Sequence, residues 1–559
     1  WGTERLLEHG DRPGIIAYVT NAGWLDGKGL DGLRKCLAEE FSSIYVFNLR
    51  GNCRFQGEAR RKEKDNVFGL GSRTPVAITV LVRNPVKTGN AEIFYRDIGD
   101  YLSREAKLSM ISGMRDIYNP DMGWKKIIPN EAGDWISQRS VAFADFILLG
   151  DKDKNSDGKT FFEPCYSHGI STARDAWCYN SSEKSLRSNI RKTIVFFNGQ
   201  RESFHKLFPD KMMNQNILDL VDKDSSKISW TRALLTDLSK DKQIAYRASN
   251  VVVSSYRPFF KQCLYRDRSL NEVTGQIPRL FPTPDNPNQV ICVSAFRDGL
   301  PLMSDNIPDL HFNGDSQCFP LYWYDEEGDG HEKRNLFSSG HGKGKSINGY
   351  VRHDGITDWI FDECRKMHGK VTPRVSKLQI FHYVYGILHS PNYAEAFSAD
   401  LKKSLPRIPL LQDSEAYLTF ADAGKALAKL HLGYETAKPY PARVIGTDSG
   451  RFQVVKMRFG KGRDGCADRT VIQYNDAIRV ENVPTEAYEY VLNGKPAIEW
   501  IMERYQIKTD KNSGIKNDPN DWAEEHGVPM YVLDLLLRVI TVSVETMRIV
   551  KGLPRLDFA

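Results

Sequence analysis

GIIAYVTNAGWLDGKGLDGLRKCLAEEFSSIYVFNL (Gly14–Leu49), followed after a polar interval by PVAITVLVRN (Pro75–Asn84), decides the fold class. The first run is apolar and β-branched and closes on the turn Asn21-Ala22-Gly23, which predicts a strand. Next, Leu30, Leu33, Leu37 and Phe41 recur at helical spacing, and SSIYVFNL returns as a second strand, so a β-α-β unit is expected. The interval GNCRFQGEARRKEKDN (Gly51–Asn66) reads as a loop, then come Val67-Phe68, the glycine-rich turn GLGSRT and a third strand.

The remainder is bounded by size and balance. A chain of 559 residues exceeds one ordinary core, and 41% apolar with 11% aromatic content is ample to bury two or more. Lys and Arg exceed Asp and Glu by 77 to 71, a net charge of +6, so any nucleic-acid partner must be argued from local clusters. Nine cysteines stand singly with no CxxC pair, which fits a reducing, cytoplasmic setting. No apolar run approaches the ~20 residues that span a bilayer, so no membrane partner is expected. The chain begins at Trp1 without an initiator Met and is read as a fragment of a longer polypeptide.

Further strands and helices are expected over AEIFYRDIG (Ala91–Gly99), YLSREAKLSMISGM (Tyr101–Met114) and the run carrying Leu186, Ile190, Ile194 and Phe197. Composition shifts near Ser254, placing a boundary at about residue 240, and His331 to Lys377 reads as a flexible basic stretch. A helix over SKLQIFHYVYGILHS should break at Ser390-Pro391. RFQVVKMRF and RTVIQYNDAIRV predict strands, and KPAIEWIMERYQ and MYVLDLLLRVITVSVETM predict helices.

Two resemblances give these elements a function. Asn21-Ala22-Gly23-Trp24-Leu25 and Val67-Phe68 resemble the segments downstream of the catalytic (D/N)PPY motif in γ-class, amino-group adenine DNA methyltransferases. TARDAWCYN (Thr172–Asn180), SYRPFFKQCLYRDR (Ser255–Arg268), IPDLHFNGDSQCFPLYWY (Ile307–Tyr324), FHYVYGILHSPNYAEAF (Phe381–Phe397) and YQIKTDKNSGIKNDPNDW (Tyr505–Trp522) are together similar to single-chain, helicase-like type ISP restriction-modification enzymes. The resemblance implies an α/β fold: the distal half of a Rossmann-like methyltransferase sheet over residues 1–240, then an α+β target-recognition domain over 241–559. It implies double-stranded DNA as partner, with the remaining nuclease, translocase, coupler and proximal methyltransferase parts on the same polypeptide. S-adenosylmethionine would serve methylation of an extruded adenine amino group; ATP and magnesium would serve the motor and nuclease. The F-x-G-x-G cofactor loop, (D/N)PPY and helicase motifs are absent from this sequence, so cofactor-binding residues are expected elsewhere and the chain alone is expected to be inactive. The other readings are a stand-alone DNA-binding specificity module and, more distantly, an RNA-modifying enzyme.

Phe68 occupies the position of the family's base-stacking aromatic, against the plainer reading of a core Phe. Arg50, Arg54, Arg60, Arg61 and Lys62 crowd one loop and suit phosphates, offset by Glu58, Glu63 and Asp65. Lys343, Lys345, Arg352, Lys370 and Arg374 suit a groove-facing surface. SSGHGKGKS (Ser338–Ser346) lacks the first glycine and the leading strand of a nucleotide loop. His353, Cys364 and His368 match no zinc spacing, so no metal is expected, and Arg257 reads as an ion-pair anchor.

Overall fold

The computed structural model describes residues 2–7, 12–55, 57–153, 155–208, 217–294, 300–327, 345–370, 375–463 and 465–558. Its first unit is a five-stranded sheet built from β1 (Gly14–Asn21), β2 (Ser43–Arg50), β3 (Val76–Arg83), β4 (Glu92–Asp97) and β5 (Lys125–Ile127), in the order β1-β3-β2-β4-β5. β1 and β2 run the same way, as a β-α-β crossover requires, but β3 lies between them and is antiparallel to both. Parallel β4 and antiparallel β5 complete the sheet. The pleat of β2 divides its side chains between two layers. Ile44 and Val46 pack on one face with Leu37, Phe41 and Trp135, whereas Phe47 and Leu49 pack on the other with Val67, Val76 and Ile98. Fully burying each such side chain contributes roughly 1.5–3 kcal/mol. On the other side of β1 no strand pairs among the described residues, and Ile15, Tyr18 and Val19 are exposed.

α1 (Asp31–Glu40) forms where expected, but its inner face differs from the predicted one. Leu30 and Leu33 are exposed, and the buried positions are Arg34, Leu37 and Ala38. Arg34 is tolerated inside because its guanidinium donates to the carbonyls of Trp24, Gly27 and Gly133 and pairs with buried Asp134. Arg139 (2.7 Å) and Lys403 (2.9 Å) close on the same carboxylate. Burial alone would raise the Asp134 pKa; the bonds from Arg139 and Lys403 outweigh it and hold the carboxyl well below its usual range. This cluster ties the first sheet to the chain near residue 400.

The boundary expected at residue 240 falls inside one apolar core. Strand Tyr179–Asn180 pairs with Phe260–Tyr265, Ser167–His168 with Gln317–Pro320, and Ile147–Gly150 with Arg407–Ile408. α4 (Glu183–Leu207) packs Leu186, Ile190, Ile194 and Phe197 into the cluster that holds Phe260, Leu264, Trp500 and Leu536. The change of partner therefore comes between β5 and residue 147. Within this larger body the stretch expected to be flexible contains, in its described part, two strands of a three-stranded sheet and a helix. That sheet comprises β6 (Tyr322–Glu326), β7 (Lys345–Ile347) and β8 (Tyr350–Asp354), with β8 central, followed by α5 (Asp358–His368). α6 (Lys377–Leu388) ends as predicted, Ser390 capping the next helix and Pro391 starting it. α6 crosses α7 (Ser414–Leu432) at Gly386 and Gly424, whose absent Cβ atoms would lie 2.1 Å from the Phe420 carbonyl oxygen and 1.9 Å from that of His382. A second small sheet, β9 (Arg443–Ile445), β10 (Arg458–Lys461), β11 (Ala467–Gln473) and β12 (Arg479–Glu481), lies against the same core. Closing helix α8 (Tyr531–Lys551) buries Leu533, Leu536, Leu537 and Ile540. No helix among the described residues is long and apolar enough to cross a membrane.

Candidate nucleic-acid interface

The loop that follows β2 is fixed from beneath. Asn66 is buried, its amide donating to the Gly51 (3.1 Å) and Thr74 (2.8 Å) carbonyls and its oxygen accepting the Phe68 N–H (2.9 Å). From α3 (Arg104–Met114), the buried Lys107 ammonium donates to the carbonyls of Leu49 (2.9 Å), Glu63 (3.0 Å) and Asp65 (2.7 Å). Removal from water lowers its pKa. Arg104 Nε donates to the Val67 carbonyl at 3.0 Å. This scaffold separates two adjacent apolar residues: Val67 is 6% exposed in the lower core, and Phe68 is 57% exposed outside every apolar cluster. A large aromatic held out in water on a pinned backbone has a free face on which a flat ring can stack. Lys107 is the residue sequence reasoning missed; a lone Lys within an amphipathic helix looks like any solvated one.

The basic residues around Phe68 are less free than their number suggests. The interval contains α2 (Gly57–Glu63) where a loop was expected. Arg50 pairs with Asp97 (2.7 Å) and with Asp100, at the end of β4. Arg61 pairs with Glu58 (2.9 Å), Lys62 approaches Asp100 (3.8 Å), and Arg60 donates to the Lys64 carbonyl. Arg54 is exposed, with no side-chain partner among the described residues. The neutralising carboxylates Asp97 and Asp100 come from another strand end, which a linear count of charges cannot see. α2 also carries a second contact to the larger body: Glu58 N–H donates to the Gly494 carbonyl, and a Cβ on Gly57 (φ +55°) would fall 1.4 Å from that oxygen.

Of the second predicted group, Lys343 and Arg374 lie outside the described residues, as does most of Ser338–Ser346. Lys345 and Arg352 face each other directly across β7 and β8, a like-charge pairing that costs stability unless an anion lies over it. The Arg352 guanidinium sits 4.0 Å from the centre of the Tyr322 ring, and Lys370 is exposed just beyond α5. On the reverse face Trp323 stacks on His353 at 4.0 Å, Arg279 lies over Trp323, and Asp325 takes both Arg279 and His353. His368 stacks on Tyr417 and bonds Ser414, while Cys364 is buried with its thiol pushed up to about 12 by desolvation. Among the described residues no three His, Cys, Asp or Glu side chains are grouped to hold a metal. Arg257 is the anchor its motif predicts, buried between Asp309 and Asp175 with its guanidinium 3.9 Å from the centre of the Tyr256 ring.

Comparison with known proteins fits these elements. Residues 160–535 match the family model of the Type ISP C-terminal specificity domain. No curated protein matches. Among solved structures, a nuclease-deletion mutant of the Type ISP restriction-modification enzyme LlaGI in complex with a DNA substrate mimic is 35% identical, with a TM-score of 0.81 over 99% of this chain and 40% of its own. The ATP-dependent Type ISP enzyme LlaBIII bound to DNA is 31% identical, with a TM-score of 0.81 over 100% of this chain and 33% of its own. A DrdV–DNA complex is 27% identical, with a TM-score of 0.77 over 99% of this chain and 51% of its own. The chain thus spans about a third to a half of these larger proteins. With the specificity-domain match covering well over half of its residues, the chain belongs to the Type ISP restriction-modification family.

Proposed function

We propose that this chain selects a sequence on double-stranded DNA, through the body that begins near residue 147, for a Type ISP enzyme that methylates adenine amino groups. The observation that carries this reading is the specificity-domain match over residues 160–535. The first sheet then supports the methylation step, with Phe68 stacking on the extruded adenine; its 57% exposure on a backbone pinned by Asn66, Lys107 and Arg104 supports that role. S-adenosylmethionine, when bound, supplies the methyl group. At the carboxyl end of β1 the Asn21 side chain caps Gly23 N–H, and at that of β2 Arg50 bridges Asp97 and Asp100. Because the F-x-G-x-G loop and helicase motifs are absent from this sequence, we assign the cofactor, ATP and magnesium to other parts of the longer polypeptide.

Specificity is expected to be portable. Exchanging everything from residue 147 onward for the corresponding part of a relative with a different site should move the methylated sequence, mapped on genomic DNA, to the donor's site. An active chimera that kept the recipient's site would refute the assignment. A cut at residue 240 would divide an apolar core, so the junction lies between β5 and residue 147.

A further inference from the structure

The β10–β11 hairpin lies outside both groups of candidate residues considered above. From Lys456 to Arg463 the sequence KMRFGKGR holds four basic residues and no acidic one. Lys456, Arg458, Lys461 and Arg463 are all exposed, and none has a carboxylate partner among the described residues. Asp464, which follows Arg463, lies outside the described residues; among the described residues the neighbouring acids are already engaged. Asp468 accepts the Thr470 N–H (2.9 Å) and hydroxyl (2.7 Å), Glu481 takes Arg479 (2.5 Å) and Arg443 (3.5 Å), and Asp476 takes Arg451 (3.4 Å).

The hairpin is also built to project. Its inner face sets Phe459, Ile472, Val480 and Val444 side by side against the core. Between Phe459 and Gly460 the pairing jumps from Ile472 to Asp468, so residues 469–471 bulge out of the ladder. The bulge turns Arg469 inward onto Glu499 (3.1 Å) and over the rings of Phe459 and Tyr488. The base is thereby anchored, and the tip beyond Lys461 extends past the last strand pair. A two-stranded antiparallel ribbon fits the major groove of B-DNA, and Arg and Lys pair with the O6 and N7 edge of guanine.

We propose that this ribbon enters the major groove of duplex DNA, Lys461 and Arg463 at its tip reading guanine edges and Lys456 and Arg458 at its base holding flanking phosphates; the proposal rests on the DNA-recognition reading above. The test uses the full chain and a random-sequence duplex library, with the enriched sequence and the salt dependence of affinity as readouts. The double substitution Lys461→Ala/Arg463→Ala should relax preference at one or two guanine-containing positions while other positions stay enriched. Lys456→Ala/Arg458→Ala should leave the enriched sequence intact, weaken binding to all duplexes by on the order of tenfold and flatten the salt slope by about two. All four positions are exposed, so the thermal midpoint should not move, and Lys461→Arg should keep the parent preference. If the parent chain selects a sequence and the tip variant selects it equally sharply, the ribbon assignment is overturned alone. If the parent chain binds no duplex, the proposed function falls with it.

Discussion

The loop after β2 and the β10–β11 hairpin look alike as strings: each packs basic residues around glycines between apolar strands. In three dimensions they are opposites. In the loop, Arg50, Arg61 and Lys62 meet Asp97, Asp100 and Glu58, and the backbone is held by a buried ammonium. Around the hairpin Asp468 takes Thr470 and Glu481 takes Arg479, and among the described residues four cations are left facing water. The difference teaches that a run of charge in sequence is not charge at a surface. What decides is where the carboxylates of other strands arrive. The first region is suited to holding one aromatic, Phe68, in a set place; the second is suited to meeting a polyanion.

The sharpest break in that contrast is Lys107→Met. Three carbonyls would lose a charged donor in a buried site, so we expect a loss of about 2–4 kcal/mol in urea denaturation, with hydrogen exchange rising first over residues 49–68. A variant as stable as the parent would mean that the loop is held by other contacts, and the contrast would collapse.

Acid should separate the two units next. His389 is buried and its pKa is lowered to about 4 by desolvation, against an unfolded value of about 6.5. Because the folded value is the lower one, the unfolded chain binds the extra proton. The stability is complete above about pH 6.5 and declines as pH falls toward 4, by about 2 kcal/mol at pH 5. The first sheet depends instead on the Asp134 carboxylate, whose pKa is lowered, so its contribution persists until the pH falls below the usual carboxylate range. Exchange measured at pH 5 should therefore loosen α6 and α7 before β1–β5. His389→Gln should reduce that gap.

These contrasts also mark how far the sequence could be read. Periodicity was sufficient for β1–β4, for α4 and for the break at Pro391, because each depends on local spacing or on one backbone constraint. It failed wherever a distant partner decided. Arg34, not Leu33, faces inward because Gly133 and Asp134, a hundred residues on, receive it. The division near residue 240 rested on composition, whereas pairing joins Tyr179–Asn180 to Phe260–Tyr265. Phe68 could be singled out by resemblance, but its exposure depends on Asn66 and Lys107, which no spacing rule connects to it.

Phe68→Ala then tests what the pinned loop is for. With 57% of the side chain in water, stability should change by less than about 0.5 kcal/mol. In the complete enzyme, methylation should fall by the equivalent of about 1–3 kcal/mol of stacking while overall DNA affinity is largely kept, and Phe68→Trp should retain most activity. Unfolding of Phe68→Ala would show that the side chain supports the core.

The smallest effect is the most discriminating, because it compares two arginines seven positions apart. Arg61 is paired with Glu58 at 2.9 Å, and both side chains are about half exposed. Such a pair contributes little to stability, of order 0–1 kcal/mol, and presents almost no net charge to a phosphate. Arg54 is exposed, without a carboxylate among the described residues. If phosphates approach this loop, Arg54→Ala should lower the salt slope of duplex binding by about 0.9, the value for one neutralised phosphate, and Arg61→Ala by much less. Equal slopes for the two variants would mean that Arg61 leaves Glu58 when DNA arrives. The loop would then be a polyanion surface after all, and its contrast with the hairpin would be one of the free protein only.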